Sequence, residues 1–311
     1  MECRGNVTFG VLDDVTTKRT HGGCHFISLI QAYAYRFIYH AGSQLYVYSS
    51  VFNNAGTNQA VIFNYGTNIR YWNLILSKTN LSPAQPCDGY NVNIQKLGAT
   101  DAAISLATTG ATFDKISATD VGRTVYASSN YGFTLSNLYA RGCTYIVRPL
   151  GWSGTGYIIN ADSNTWSVLW GGTCTGKVYR QYTFDLTVTY PNGTAIENAN
   201  VTITHYGQAE TEDYNGLTDS NGQIPQQTLS KGFYNQTGAD TIYSYDPYNL
   251  KIANVTGYND YDGNFTLSEQ TDWTITLTPA TSESGGATYF APAFPLAFMI
   301  CLVLGIVWTK K

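Results

Sequence analysis

The stretch FTLSNLYA, residues 133–140, contains a strand in which the alternation of apolar and polar residues fails in the middle. Phe133 and Leu135 alternate with polar residues, but the next apolar residue, Leu138, comes three positions later. Asn137 precedes Leu138, and asparagine tolerates the left-handed backbone angles that tight turns require. The stretch therefore predicts two short strands joined by a corner at Asn137.

The same local pattern recurs through the first half of the chain. If the apolar residue after the corner is taken as an anchor, successive anchors lie 19 to 23 residues apart. A repeat of this length without helical spacing is typical of a coil of short parallel strands, in which like residues stack from rung to rung. The anchors are Val7, Leu29, Val51, Leu74, Leu97, Ile116, Leu138 and Ala161, and the corner residues before them are Asn6, Ser28, Ser50, Asn73, Lys96, Lys115, Asn137 and Asn160.

Residues 1–180, with this repeat, resemble right-handed parallel β-helix proteins, a group that includes secreted and cell-surface proteins and polysaccharide-processing enzymes. The eight anchors predict about eight rungs. Residues 77–90, SKTNLSPAQPCDGY, interrupt the fourth rung and are predicted to form a surface loop. A solenoid needs a cap over its end rung, so a first rung at residues 4–9 leads us to expect further natural sequence upstream, with more rungs and a signal peptide.

From residue 181 the repeat gives way to alternating strands around the turn Pro191-Asn192-Gly193. Residues 181–279 resemble carboxypeptidase regulatory-like domains of the transthyretin-like β-sandwich type, which usually serve as stalks or adhesive units. The fold class expected for the whole chain is therefore all-β, a parallel β-helix followed by a β-sandwich. The residues that carry the second resemblance are Gly193, Ala199 to Ile203, Thr218, Asp219, Gly222, Tyr248, Gly257 and Tyr258.

The C-terminal end predicts a membrane anchor. Twenty residues from Tyr289 to Trp308 carry no charge, and a helix of that length matches a hydrocarbon core of about 30 Å. Lys310 and Lys311 follow and favour a cytoplasmic C-terminus. We expect a transmembrane helix at 289–309, a linker at 280–288 and an extracellular location for the rest of the chain.

Composition excludes several partners. The net charge is -4 and no cluster of Lys or Arg precedes the last two residues, so no nucleic-acid partner is predicted. The segment HGGCH, residues 21–25, lacks a second set of ligands at metal-binding spacing, so we predict no metal and no cofactor. Cys3 and Cys24 lie close to one period apart and form a candidate disulfide.

The acidic residues of the coil do not form a catalytic set. Enzymes of this fold that act on polysaccharides align carboxylates on neighbouring rungs. Asp114 is predicted to lie between Gln95 and Ser136, and Asp120 with Arg123 lacks a second acid in register. We predict no catalytic residues, with a polysaccharide lyase or glycoside hydrolase as the alternative.

The binding candidates are aromatic residues predicted to be exposed on the coil, Trp72, Tyr139 and Trp152, which would stack on sugars. The module order resembles archaeal or bacterial cell-surface proteins. The predicted function is a membrane-anchored structural or adhesion protein whose partners are polysaccharides or other surface proteins; a viral surface or spike protein is a further alternative. Candidate glycosylation sequons of the second domain lie at Asn192, Asn200, Asn235, Asn254 and Asn264.

Overall fold

The computed structural model describes residues 18–22, 25–28, 35–40, 44–48, 51–54, 60–64, 69–83, 86–98, 101–106, 110–207, 210–238 and 241–280. No helix occurs in these ranges. The strands are β1 (Lys18–Gly22), β2 (His25–Ser28), β3 (Tyr35–His40), β4 (Gln44–Tyr48), β5 (Val51–Asn54), β6 (Ala60–Asn64), β7 (Ile69–Ser77), β8 (Thr79–Pro83), β9 (Cys87–Gln95), β10 (Ala102–Leu106), β11 (Ala111–Thr119), β12 (Arg123–Ser128), β13 (Phe133–Ser136), β14 (Tyr139–Arg141), β15 (Tyr145–Leu150), β16 (Thr155–Ile159), β17 (Asp162–Ser163), β18 (Lys177–Thr189), β19 (Asn200–His205), β20 (Thr211–Leu217), β21 (Gln227–Tyr234), β22 (Tyr243–Ser244), β23 (Tyr248–Ala253), β24 (Tyr261–Phe265) and β25 (Thr271–Thr276).

The first half of the chain is a β-solenoid of about five turns, which confirms the expected parallel coil. One sheet runs through β1, β4, β7, β9, β11, β13, β16 and β18, and a second runs through β3, β6, β8, β10, β12 and β15. Pairing within both coil sheets is parallel, because each strand pairs with its counterpart in the next turn. The right-handed sense and the count of eight rungs stay predictions.

The corners of the coil are built from residues with positive φ. Asn137 has a φ of 52°, which confirms the predicted corner. Its Nδ2 donates to Asp114 Oδ1 at 2.7 Å, and Asn91 Nδ2 donates to Asn73 Oδ1 at 2.8 Å, so side chains of neighbouring turns hold each other. The left-handed region costs a non-glycine residue about 1–2 kcal/mol. The first corner comprises Asn73, Asn91, Lys115, Asn137 and Asn160, and a second comprises Lys78, Lys96, Asp120 and Gly142.

The predicted register is wrong around Leu97. Val92 lies opposite both Leu74 and Ile116, so the intervals here are 18 and 24 residues. Lys96 and Leu97 repeat the polar-apolar signature of the first corner, but Lys96 belongs to the second. In consequence Asp114 lies opposite Tyr90 and Ser136, not Gln95. The anchor Val51 is also displaced by one position, because Val51 lies opposite Ile75.

The predicted surface loop at residues 77–90 is also wrong. Strand β8 lies between β6 and β10 in the second sheet, and β9 begins at Cys87. Leu81 is fully buried, as is Thr79, whose hydroxyl donates to Ser77 O at 3.1 Å. The polar, proline-containing sequence suggested a loop, but a threonine that satisfies its hydroxyl within its own chain fits a core position.

Strand β18 belongs to both halves of the molecule. Its first residues pair in parallel with β16 of the coil, and residues 178–184 pair antiparallel with β21. From Phe184 onward it pairs in parallel with β25. A second sheet, in the order β20-β19-β23-β24, lies over this part and shares its core. The coil core ends at Val178 and the sandwich core begins at Tyr182 in this strand. The assignment to the carboxypeptidase regulatory-like type stays a prediction.

Several predicted features lie outside the described residues. They include the first rung, the Cys3–Cys24 disulfide, the linker after residue 280 and the transmembrane segment at 289–309 with Lys310 and Lys311. Among the residues that are described, no helix is long and apolar enough to cross a membrane.

Candidate functional site at the junction of the coil and the sandwich

The three predicted binding aromatics lie in different environments. The prediction that Trp152 is exposed is wrong, since this side chain is fully buried. Its indole donates to Tyr131 O and stacks on Phe133 with ring centroids 6.1 Å apart. A Cβ on Gly176 would lie 2.6 Å from the indole, so the glycine of the next turn makes room for it. Trp152 therefore belongs to the coil core and cannot stack on a sugar.

Trp72 lies on the outer face of β7 and is half-buried. The guanidinium of Arg70 lies 5.6 Å from its ring centroid. Tyr90, 37% exposed, is opposite Trp72 in the next turn, and its hydroxyl accepts a hydrogen bond of 2.7 Å from Lys115 Nζ. Because they are register partners, the two side chains lie on the same face of this coil sheet.

Tyr139 is the predicted residue that lies in a concave site. It is 46% exposed on β14, with the guanidinium of Arg141 4.7 Å from its ring centroid. It lines a cleft of about 450 Å³ between the last turns of the coil and the loop from β24 to β25. A volume of this size lies within the range of small-ligand sites. We call this site the junction cleft; its walls include Tyr139, Asn160, Asp162, Trp166, Arg180 and Glu269.

The coil supplies one wall through the stacking of its last turns. Asp162 of β17 lies opposite Tyr139 in register, and its carboxylate forms an ion pair with Arg141. Arg141 Nη1 also donates to Asp162 O at 2.9 Å. The hydrogen bond to Asp162 raises the pKa of Arg141 above its ordinary value. The carboxylate is thus held beside the exposed tyrosine ring.

The floor of the junction cleft carries an ordered arginine. The guanidinium of Arg180 lies 3.9 Å from the centroid of Trp166 and donates through Nε to Tyr182 Oη at 2.8 Å. Burial raises the pKa of the Tyr182 phenol, so this hydroxyl stays protonated at neutral pH. Cation–π stacking and the hydrogen bond fix the guanidinium before any ligand arrives.

The sandwich supplies another wall of the junction cleft through the loop from β24 to β25, which contributes Ser268 to Gln270. An ion pair of the sandwich contacts this loop. Lys231 Nζ lies 2.8 Å from Asp246 Oδ2 and also donates to Leu267 O. Asp246 Oδ1 accepts from Leu267 N at 3.0 Å. Both charged side chains are mostly buried. This ion pair positions the loop that presents Glu269 to the junction cleft.

The junction cleft carries charges of both signs. Its lining carries Asp162 and Glu269 against Arg180, and Arg141, which lies outside the lining, pairs with Asp162. The other polar side chains of the lining are mainly amides and hydroxyls, which both donate and accept hydrogen bonds. The described residues contain no group of three or more side chains able to hold a metal ion. The three described cysteines, Cys87, Cys143 and Cys174, are buried thiols, and burial raises the pKa of the first two, which disfavours the nucleophilic thiolate. The arrangement suits binding of an uncharged, hydroxyl-rich molecule.

Sequence reasoning found part of this site. It singled out Tyr139 as a binding candidate and Asn160 as a corner residue. It missed Trp166, Arg180 and Glu269. The first two were detectable as an aromatic and a basic residue near the end of the repeat, but Glu269 joins the site only through the folding of the sandwich.

The described residues are all-β, with a β-solenoid and an open cleft beside its last turns. No protein-family model and no curated protein matches the chain. Among solved structures, the chain is similar to the Bacillus anthracis TIE protein, with 19% identity and a TM-score of 0.25. The match covers 38% of this chain and 20% of that one, so the chain spans about a fifth of its length. A likeness this distant carries no functional argument.

Proposed function

We propose that the protein is a membrane-anchored cell-surface structural or adhesion protein that binds neutral carbohydrate in the junction cleft. The observation that carries the proposal is the exposed ring of Tyr139 in the same cleft as amides, hydroxyls and two carboxylates. A pyranose has an apolar face of C–H groups and a rim of hydroxyls. An aromatic ring beside convergent acceptors and donors complements both features.

The charges of the lining support an uncharged saccharide over an acidic one, because two carboxylates, Asp162 and Glu269, face one arginine, Arg180. A uronate carboxylate near Arg180 would also lie near Glu269, whose charge opposes it. The sandwich and the C-terminal segment would act as the stalk and the anchor, with polysaccharide or neighbouring surface glycoproteins as the partner.

The test is retention of the full chain, solubilised in detergent, on an array of neutral and acidic glycans. We expect neutral glycans to be retained and Tyr139→Ala to weaken their binding about tenfold, the effect of losing one aromatic contact. Tyr157→Ala is the matched control, because Tyr157 is 38% exposed on the same sheet but outside the junction cleft.

Three results would contradict the proposal. They are retention of no glycan, equal losses in the Tyr139 and Tyr157 variants, and release of reducing or unsaturated sugar ends, which would favour the enzymatic alternative. Protease digestion of intact cells tests the location separately, since an extracellular coil is cut and a C-terminal tag after Lys311 is protected.

A further inference from the structure

The turn that opens the sandwich presents an exposed asparagine whose side chain is hydrogen-bonded. The segment Tyr190-Pro191-Asn192-Gly193-Thr194 follows β18 directly. Tyr190 N donates to Thr194 O at 2.8 Å and Gly193 N donates to Tyr190 O at 2.9 Å, which close the turn. Gly193 has a φ of 82°, a left-handed conformation that favours glycine.

This turn orients the Asn192 amide. Its Oδ1 accepts a hydrogen bond of 3.0 Å from Thr194 N, while its Nδ2 makes no hydrogen bond within the described part of the chain. Asn192, Gly193 and Thr194 are all exposed. The nitrogen that N-glycosylation modifies and the Thr194 hydroxyl that completes the sequon are therefore both accessible.

An aromatic pocket adjoins that amide. Tyr190 and Tyr258 lie with ring centroids 5.0 Å apart at an interplanar angle of 50°. Together with Pro191 and Asn192 they line a depression of about 300 Å³. A sugar attached to Nδ2 would meet this pocket at once, and the half-buried tyrosine rings would pack against its C–H face.

The other sequons of the sandwich lack one or more of these features. Asn200 lies on β19, which is paired on both sides. Asn264 lies on β24 and Asn235 is half-buried, and neither of them lines the aromatic pocket. Asn254 is exposed with a φ of 66°, but it does not line the aromatic pocket.

We infer that Asn192 is an N-glycosylation site whose first sugar packs on Tyr190 and Tyr258 and stabilises the opening turn of the sandwich. The inference relies on the extracellular location proposed above. In the reaction, Nδ2 forms a bond to the anomeric carbon of a lipid-phosphate-linked oligosaccharide, which an oligosaccharyltransferase supplies. The bond from that carbon to the phosphate oxygen breaks, the amide loses one proton, and the lipid phosphate leaves as an anion.

The test uses the full chain behind a secretion signal in a cell that N-glycosylates its secreted proteins, with glycopeptide mass spectrometry as the readout. We expect Asn192 to be occupied, Thr194→Ala to abolish its glycan and Thr194→Ser to retain it. Enzymatic removal of the glycan should lower the melting temperature by about 2 °C, the shift expected from losing one aromatic contact in a cooperative unit that includes both the coil and the sandwich.

Tyr258→Ala gives the contact-specific readout. In this variant the difference in melting temperature between glycosylated and deglycosylated protein should vanish, whereas Tyr206→Ala, an exposed tyrosine of the sandwich outside the pocket, should preserve it. An unoccupied Asn192 in secreted chain, or an unchanged difference in Tyr258→Ala, would overturn the inference. Because the added signal imposes export, these results are independent of the native location and of glycan binding at Tyr139.

Discussion

The coil and the sandwich bury similar side chains but determine their neighbours differently. In the coil, Leu135 lies opposite Phe113 and Ile158, its counterparts in the turns before and after. In the sandwich, Leu250 lies opposite Ile203 on an antiparallel neighbour whose position is set by a separate connection. The coil therefore repeats one strand pairing from turn to turn, while each strand pairing in the sandwich depends on its own connection. β18 joins the two, since it is an element of both.

The largest effect should come from truncating matched core leucines. Leu135 and Leu250 are both fully buried, so Leu135→Ala and Leu250→Ala should each lower the free energy of unfolding by about 3 kcal/mol. Because β18 spans both cores, we expect a single urea unfolding transition whose midpoint falls in both variants. Tryptophan fluorescence and circular dichroism would monitor it. Thr112→Ala, at an exposed position, is the control. Two transitions that each respond to one variant would show that the regions unfold independently.

Removing an ion pair should lower the free energy of unfolding more in the sandwich than in the coil, by less than the loss of a core leucine. Lys231→Met leaves Asp246, with a side chain 12% exposed, without its partner, and should lower the free energy of unfolding by about 2 kcal/mol. Arg141→Met removes a pair in the coil whose carboxylate is 66% exposed, and should change stability little because solvent screens it. Urea titration of both variants checks this. Equal losses would mean that burial does not distinguish the pairs.

Substitutions at residues with positive φ should lower the free energy of unfolding by about 1–2 kcal/mol. Asn137→Ala should lose about this much stability because alanine is strained at a φ of 52°, and Asn137→Gly should lose less. In the sandwich, a Cβ on Gly193 would meet nothing within 4 Å, so Gly193→Ala should cost about 1 kcal/mol from the backbone alone. Thermal unfolding measures all three. If Asn137→Ala and Asn137→Gly are equal, the hydrogen bond to Asp114 accounts for the loss.

A loss of stability should also appear at alkaline pH, and should begin in the coil. Burial raises the pKa of the Cys87 thiol and of the Tyr248 phenol. Both groups therefore contribute stability below their unfolded pKa values, about 8.5 and about 10, and lose it as the pH rises further.

Free energies of unfolding measured from pH 8 to 11 check this order. Cys87→Ala should flatten the decline that begins near pH 8.5 and Tyr248→Phe the decline above about pH 10, the unfolded values for the two side chains. The opposite order, or a stability that rises across this range, would contradict the assignment.

The sequence predicted the parts of the fold that a local signal marks. Asn73, Asn137 and Asn160 were recognised because asparagine is common at positive φ, and these residues do form one corner. Lys96 was assigned to the wrong corner because lysine, unlike asparagine, is not a sequence signal for positive φ. The apolar residue after it, Leu97, also fitted the pattern of an anchor. Only the pairing of whole strands distinguishes the two corners.

The candidate site was predictable to a lesser extent. The alternation of the coil indicated the exposure of Tyr139, but the burial of Trp152 depends on Gly154 and Gly176, which leave space over its indole. Glu269 reaches the junction cleft through the Lys231–Asp246 pair, a contact between residues of different strands and loops. Contacts between residues that are distant in the sequence cannot be predicted from local sequence patterns.

The pairing of β18 with β25 also has a mechanical meaning. The two strands run parallel through six paired residues, with the coil attached before β18 and residue 280 following soon after β25. Tension between the coil and residue 280 would pull the strands lengthwise in opposite directions. All six pairs would then bear the load together in shear, whereas an antiparallel hairpin pulled at its open end would unzip one pair at a time. The pairing of β18 with β25 therefore favours resistance to a force applied along this direction.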